Sequence, residues 1–351
     1  MASTSASTRP PAFVIRAATR DDHRQILALA RRLDSINLPT DSAQLRELLE
    51  RSTRSFGGRI GDRSRAVYAF CAQRIGSGRI AGASMIIAKH GTPEAPHFYL
   101  EVESEERYSK RLGRMFRHQY LRLRHSMDGP TELGGLIVAP ATRRHPERVG
   151  RQLSWVRFLY MAKHRDRFEA QVVAEMLPPP TARHRNAFWD HFGRPLTGLS
   201  FRDADRLSIH DKEFIHALFP DSPLYTFLLP DAVRAALGTV GAETRGAVRL
   251  LEQAGMRYLN QIDPFDAGPY YGGAVDELAP VKQYRIARAE EGDAGSQANS
   301  RWLVALEDRR RGFRAVAAQG IARGDRIVVA PAVLAALGAK PGDRLDTVPM
   351  P

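Results

Sequence analysis

Four arginines, Arg143, Arg144, Arg148 and Arg151, crowd the stretch around Gly150. Before them, residues 133–138 form an apolar run with the length and β-branching of a buried strand. After them, Leu153, Val156, Phe158, Leu159 and Met161 recur at the spacing of an amphipathic helix over 152–164. A second strand-like run, 171–176, closes the unit at a proline cluster. Strand, basic loop, helix, strand reads as a βαβ crossover in a covered sheet. A loop that opens a helix turns backbone N–H groups outward, and with guanidiniums beside them it is suited to phosphate. The same residues also suit a solvated basic loop on an ordinary α/β domain.

The elements that must position this loop are legible on either side. Residues 13–16 read as a strand, and Thr19 with Asp22 as a capping box opening a helix over 21–33. A second helix covers 42–55. Strands at 66–74 and 79–88 flank Ile75-Gly-Ser-Gly78, a hairpin signal, and 97–102 is another strand. Residues 103–124 are too charged and aromatic to assign. Beyond the crossover, helices are expected over 184–192, 211–218, 231–237 and 247–255, then a strand over 256–262 and a turn-rich loop over 263–269. The run EEGDAGSQANS at 290–300 reads as a linker. The expected organisation is a disordered tail (1–12), a main domain with a helical extension (13–289), the linker, and a small β-rich unit (301–351) serving stability or assembly.

Composition narrows the classes. The 351 residues are 43% hydrophobic, enough for a sizeable core, and carry a net charge of +13. The excess is mostly arginine spread along the chain, which favours an anionic ligand over a dedicated nucleic-acid surface. A single cysteine, Cys71, excludes an internal disulfide framework and a cysteine metal cluster, and fits a reducing cytoplasm. No run approaches the ~18 apolar residues of a membrane span, and the first residues lack the apolar core of a signal peptide.

The order of elements resembles the GNAT-type acyltransferase fold. The resemblance implies an α+β, mixed and mostly antiparallel sheet whose two central strands splay apart to admit the pantetheine arm of an acyl-coenzyme A. The loop and helix start would then cradle the pyrophosphate, through Arg143, Arg144, Arg148, Gly150 and Arg151. Gln152 stands where that family has a small residue and is expected to crowd the site. Over residues 13–348 the chain further resembles the arginine N-succinyltransferase family. The resemblance is carried by Ser154-Trp-Val-Arg-Phe-Leu-Tyr-Met-Ala162, Arg165-Asp-Arg-Phe168, Val172-Val-Ala-Glu-Met176, Phe188-Trp189, Pro223-Leu-Tyr225-Thr226, Ile262-Asp263 with Phe265-Asp266, and Gly342-Asp-Arg344. It implies a cytoplasmic, oligomeric enzyme that moves succinyl from succinyl-CoA to the α-amine of L-arginine, or of L-ornithine, with no metal. It maps the succinyl-CoA contact onto Leu136. It places a proton-donating histidine where this chain has Gly241, and an asparagine-aspartate-histidine loop where this chain reads His125-Ser-Met-Asp-Gly129. A weakly active or non-catalytic subunit paired with a histidine-bearing paralogue, or an acyltransferase for another amine or acyl-CoA, fits these departures as an alternative.

Acylating an amine requires that the ammonium lose a proton, that the tetrahedral oxyanion meet donors such as a backbone N–H near Leu136, and that a thiolate leave. The coenzyme A thiol has the ordinary pKa of about 8.5, so a lost general acid costs towards the low end of ~10²–10⁴-fold. Glu175, at the end of the second central strand, is the candidate base, with an arginine salt bridge as the plainer alternative. Tyr225 is the candidate proton donor to the thiolate, or else a packed ring. For the cationic substrate the candidate carboxylates are Glu132, Asp263 and Asp266. The last two also suit bracing of their own turn.

Overall fold

The structure is a computed structural model that describes residues 10–33, 38–179, 186–208, 211–292 and 300–351. Strand β1 (Phe13–Ala17) leads through a short 3-10 turn to α1 (His23–Arg32), and α2 (Ser42–Phe56) follows. Thr19 and Asp22 make the expected capping box, and Asp22 also ion-pairs with Arg16 at 2.7 Å. Next come β2 (Val67–Arg74), β3 (Ile80–Ile87), β4 (His97–Ser109), β5 (Arg114–Ser126), β6 (Thr131–Val138), α3 (Val149–Lys163) and β7 (Gln171–Glu175). A helical insert holds α4 (Ala187–His191), α5 (Gly193–Thr197), α6 (Phe201–Ser208), α7 (Glu213–Leu218), β8 (Leu224–Tyr225) and α8 (Asp231–Ala236). The chain continues with α9 (Arg245–Ala254), β9 (Arg257–Ile262), β10 (Pro269–Ala274), α10 (Ala279–Lys282), β11 (Arg285–Glu291), β12 (Ser300–Asp308), β13 (Gly312–Arg323), β14 (Arg326–Val329), α11 (Pro331–Leu337) and β15 (Arg344–Met350).

The main sheet runs β1-β2-β3-β6-β7-β10-β9-β4-β5-β8. Among the described residues only β6–β7 and β11–β14 pair in parallel, so the sheet is mixed and mostly antiparallel, as the family resemblance implies. One face is covered by α1 and α2 through Ile26, Leu45, Leu49, Val67 and Ile80. The other is covered by α3 and α9. At its far end, Trp189, Phe192, Phe214 and Phe219 of the insert pack on Phe98, Leu100, Leu121 and Ile262.

Three expectations change. The unassigned stretch 103–124 is most of a long antiparallel hairpin, β4–β5, paired from His97↔Ser126 to Ser109↔Arg114. Its charges explain the ambiguity: Glu101 pairs with Arg124 at 2.9 Å, and Glu103 accepts from Tyr120 at 2.7 Å, so the polar residues are cross-strand partners rather than loop residues. Helix α3 is not amphipathic. Apart from the half-buried Gly150 and Arg151 it is buried from Val149 through Met161, because a second layer of protein covers its outer face. That layer is the C-terminal unit. Trp155 Nε1 donates to Pro349 O at 2.9 Å, and Lys163 pairs with Asp346 at 2.7 Å.

The C-terminal unit is a closed ring of strands. β12 pairs with β13 and β15, β15 with β11, β11 with β14, and β14 with β13. β13 also pairs with β1, which welds the ring to the main sheet. Glu290 and Glu291, read as the start of a linker, therefore end β11, and Ser300 opens β12. The linker residues 293–299 and the tail residues 1–9 lie outside the described residues. Ala12 is tied down, donating its N–H to Glu147 Oε1 at 2.6 Å.

The weld is hydrophobic. Phe313 of β13 stands edge-on to Tyr160 of α3 at 5.2 Å and to Phe70 of β2 at 5.7 Å. Phe313→Ala should cost ~3–5 kcal/mol, and denaturant unfolding should remain a single transition at a lower midpoint. Two resolved transitions in the wild type would show that ring and main sheet do not share a core.

Candidate functional site

The site begins where β6 and β7 part. They are register partners only at Thr131↔Val172 and Glu132↔Val173. Beyond Glu132 the β6 edge is open, while β7 keeps β10 on its other side along its whole length. On its other edge, β6 slips register against β3 between Gly134 and Ile137, with Gly135 at φ 62°. Such a bulge leaves one residue outside the ladder. It falls at Gly135–Leu136, where the strands splay. Leu136 is half-buried against the α3 side of the core.

Past Val138 the chain makes a 3-10 turn (Pro140–Thr142) and reaches Arg148, which caps α3 in the left-handed region at φ 50°. Gly150 faces β6, where an added Cβ would lie 3.4 Å from Val138 Cγ2, in ordinary contact. Arg143, Arg144 and Arg148 are exposed around this turn. Burial and the charge of Arg148 push the Arg151 guanidinium down, and Arg151 donates to Pro351 O. Gln152 does not crowd the mouth of the loop. It is buried, and its amide reaches back to Glu147 O at 2.9 Å. The C-terminal ring adds a cation that sequence reasoning missed: Arg301 donates to Glu147 O at 3.1 Å beside Arg148 and Arg151. The arrangement is a cationic rim over a helix start, fit for phosphate.

The other side of the gap is acidic. Glu175, Asp263 and Asp266 each place a carboxylate oxygen within 4.8 Å of the others. The turn that carries the aspartates is self-braced. Asp263 Oδ1 accepts from Phe265 N at 2.7 Å and Asp266 N at 3.0 Å, and Asp266 Oδ1 accepts from Gly268 N at 2.7 Å. Gly268 is required, because a Cβ would meet Met176 O at 2.5 Å. Bracing uses one oxygen of each aspartate. The Tyr270 hydroxyl stands between, 3.5 Å from Glu175 Oε2 and 3.4 Å from Asp263 Oδ2. Burial and the neighbouring carboxyls hold Glu175 and Asp266 well above the usual carboxyl range, and burial raises Asp263. Lys212 offsets this for Glu175 and Asp263. Such a cluster is short of positive charge, and it could hold a metal cation or an organic one.

Glu132 is held apart from this group. Burial opposes its ionisation, but His90 Nδ1 at 2.7 Å overcomes that and holds Glu132 at about 2. His97 packs edge-on to both His90 (4.5 Å) and Tyr270 (5.1 Å), and burial with the His90 charge pushes it down to about 3. Among the expected residues, the structure thus brings Glu175, Asp263 and Asp266 together, with Glu132 close enough to add to the Glu175 shift. It does not bring Tyr225 there. Tyr225 lies on the short edge strand β8, with its hydroxyl donated to Glu105 of the hairpin at 2.7 Å. His90, His97 and Tyr270 gave no signal in the sequence, since their meeting depends on strand order. Arg157 was read only as part of a family motif, and burial alone pushes its guanidinium down to about 9.

A family model described as arginine N-succinyltransferase beta subunit matches residues 13–280, and one for that subunit's C-terminal domain matches residues 282–349. The chain belongs to the arginine N-succinyltransferase family. It is 31% identical over 339 residues to the arginine N-succinyltransferases of Citrobacter koseri and Escherichia coli SE11, covering 96% of this chain and 97% of each relative. Its structure is similar to that of arginine/ornithine succinyltransferase subunit AI from Pseudomonas aeruginosa, with a TM-score of 0.82 at 26% identity, covering 97% of this chain and 99% of that one. The boundary between the two family models falls just before β11, which agrees with the closed ring starting there. Where the family resemblance places a histidine, Gly241 packs against the chain: a Cβ would meet Pro178 O at 2.8 Å and Leu177 O at 3.2 Å. Among the described residues no helix is long and apolar enough to cross a membrane.

The two kinds of carboxylate should respond to pH with opposite signs. Glu175 titrates higher folded than unfolded, so its charge penalty grows as pH rises above its ordinary 4.5. Glu175→Gln should therefore stabilise the fold at pH 7–8 and lose that advantage by pH 4. Glu132 titrates lower folded, so it contributes roughly 2–3 kcal/mol above pH 4.5 that fades as pH falls toward 2. Glu132→Gln should destabilise at neutral pH and converge on wild type in acid. Melting curves across pH 3–8 check both, and parallel behaviour of the two variants would contradict the electrostatic assignment.

Proposed function

We infer that this chain is an N-acyltransferase that moves succinyl from succinyl-CoA to the α-amine of L-arginine. The observation that carries the reading is the pairing of a cationic rim with a buried acidic pocket across one open strand edge. The donor's pyrophosphate belongs with Arg143, Arg144, Arg148, Arg151 and the α3 start. Its pantetheine arm follows the open edge of β6, and the thioester carbonyl meets a backbone N–H at the Gly135–Leu136 bulge, which stabilises the oxyanion. The cationic acceptor belongs with Glu175, Asp263 and Asp266. In a protein of net charge +13, a guanidinium needs such a pocket, and its arrival draws these carboxyls into their ionised form.

Proton removal from the amine falls to Glu175 through water, once the arriving cation has drawn it into its ionised form. The thiolate leaves without a dedicated acid at modest cost. Tyr225 is not in reach of this gap through any contact of its own and has no role in the proposed step. A second reading, a subunit completed by a histidine-bearing paralogue, is favoured by Gly241, where the packing leaves no room for a side chain.

Coenzyme A release should be followed with succinyl-CoA and L-arginine, and with L-ornithine in parallel. The expected result is turnover, with Asp266→Asn raising KM for the amine ~10²-fold and changing KM for the acyl donor little. A silent wild type that becomes active only with a histidine-bearing homologue establishes the subunit reading. Silence in both conditions overturns arginine succinylation. Unchanged amine KM in Asp266→Asn moves the substrate pocket elsewhere.

A further inference from the structure

Arg157 is 3% exposed in the middle of α3. Its Nε donates to Ser154 O at 3.3 Å and its Nη2 to Ser154 Oγ at 3.0 Å. Among the described residues no carboxylate pairs with it, and no charged group shifts its titration. Two other cations packed in this region do have carboxylate partners: Arg16 has Asp22, and Lys163 has Asp346. A guanidinium carries five N–H donors, and one serine occupies only two. A buried, unpaired charge is among the least favourable things a fold can hold.

Helical spacing places Arg157 on the face shared by Gly150, Ser154 and Met161. That face lies against β6. A Cβ on Gly150 would lie 3.4 Å from Val138 Cγ2, while Leu153, one step round, reaches to 2.7 Å from the place a Cβ would take on Gly82 of β3. Seven residues of helix, about 10 Å, carry Arg157 back along β6 by about three strand residues. That is the level of Gly135 and Leu136, where β6 bulges after losing β7.

We propose that Arg157, oriented by Ser154, receives the distal carboxylate of a dicarboxylic acyl group carried by the donor. The inference rests on the acyltransferase reading above and adds what selects the acyl group. A succinyl chain entering the gap brings the counter-charge that the fold withholds. An uncharged chain of the same length leaves the guanidinium unpaired and is rejected. The residue is thus a specificity determinant, set beneath the strand that holds the thioester.

The test is calorimetric affinity of the full chain for succinyl-CoA, butyryl-CoA and free coenzyme A. The wild type is expected to bind succinyl-CoA ~10²-fold more tightly than butyryl-CoA. In Arg157→Met that ratio should fall to near one, mainly by loss of succinyl-CoA affinity, and Arg157→Lys should keep part of it. Equal wild-type affinity for the two acyl-CoAs overturns the inference without any variant. So does a parallel loss of both in a folded Arg157→Met protein, which marks a packing role. If coenzyme A itself fails to bind, the acyltransferase reading falls and this inference with it.

Discussion

The site depends on a parallel strand pair that is allowed to fail. β6 and β7 hold register at two positions and then separate. Parallel strands buried in a covered sheet normally satisfy every backbone group. Here the exception is supported from outside: β3 grips the far edge of β6, β10 grips the far edge of β7, and α3 with α9 spans the face. The gap is therefore rigid on both rims. The basic loop exists because β6 outruns β7, and the acidic pocket exists because β7 stops at Glu175 beside the β9–β10 turn.

Charge is sorted along this gap. Arginines stand at the exposed end, where solvent keeps them ionised at little cost. The carboxyls lie at the withdrawn end, where burial makes ionisation conditional on a cation. Glu132 sits between and is fixed as an anion by His90. A protein that is strongly basic as a whole thus keeps a small buried acidic region, which sequence totals conceal.

Much of this was legible beforehand because local rules governed it. The capping box at Thr19, the hairpin at Gly76–Gly78 and the crossover around Gly150 follow from turn chemistry and periodicity. Asp263 and Asp266 announced themselves by spacing in a turn-rich loop. The misreadings share one cause, which is that tertiary cover is invisible in sequence. Helix α3 shows an apolar stripe, yet Trp155, Lys163 and Arg151 on its outer side are buried or bound by a ring some two hundred residues away in the chain. Most of the β4–β5 hairpin could not be assigned because its alternation is carried by ion pairs. Tyr225 belongs to a family motif, but its strand lies at the opposite edge of the sheet from the gap.

The closed C-terminal ring also decides how this molecule avoids sticking to itself. A sheet has two unpaired borders, each a template for another chain. By folding β11–β15 into a closed circuit and joining it to β1, the protein abolishes one border outright. The other ends in β8, two residues long, laid on a β5 strand carrying Arg114, Arg117, Arg122 and Arg124. A short margin crowded with charged side chains, with Arg122 and Arg124 already ion-paired to β4, is a poor template for another chain.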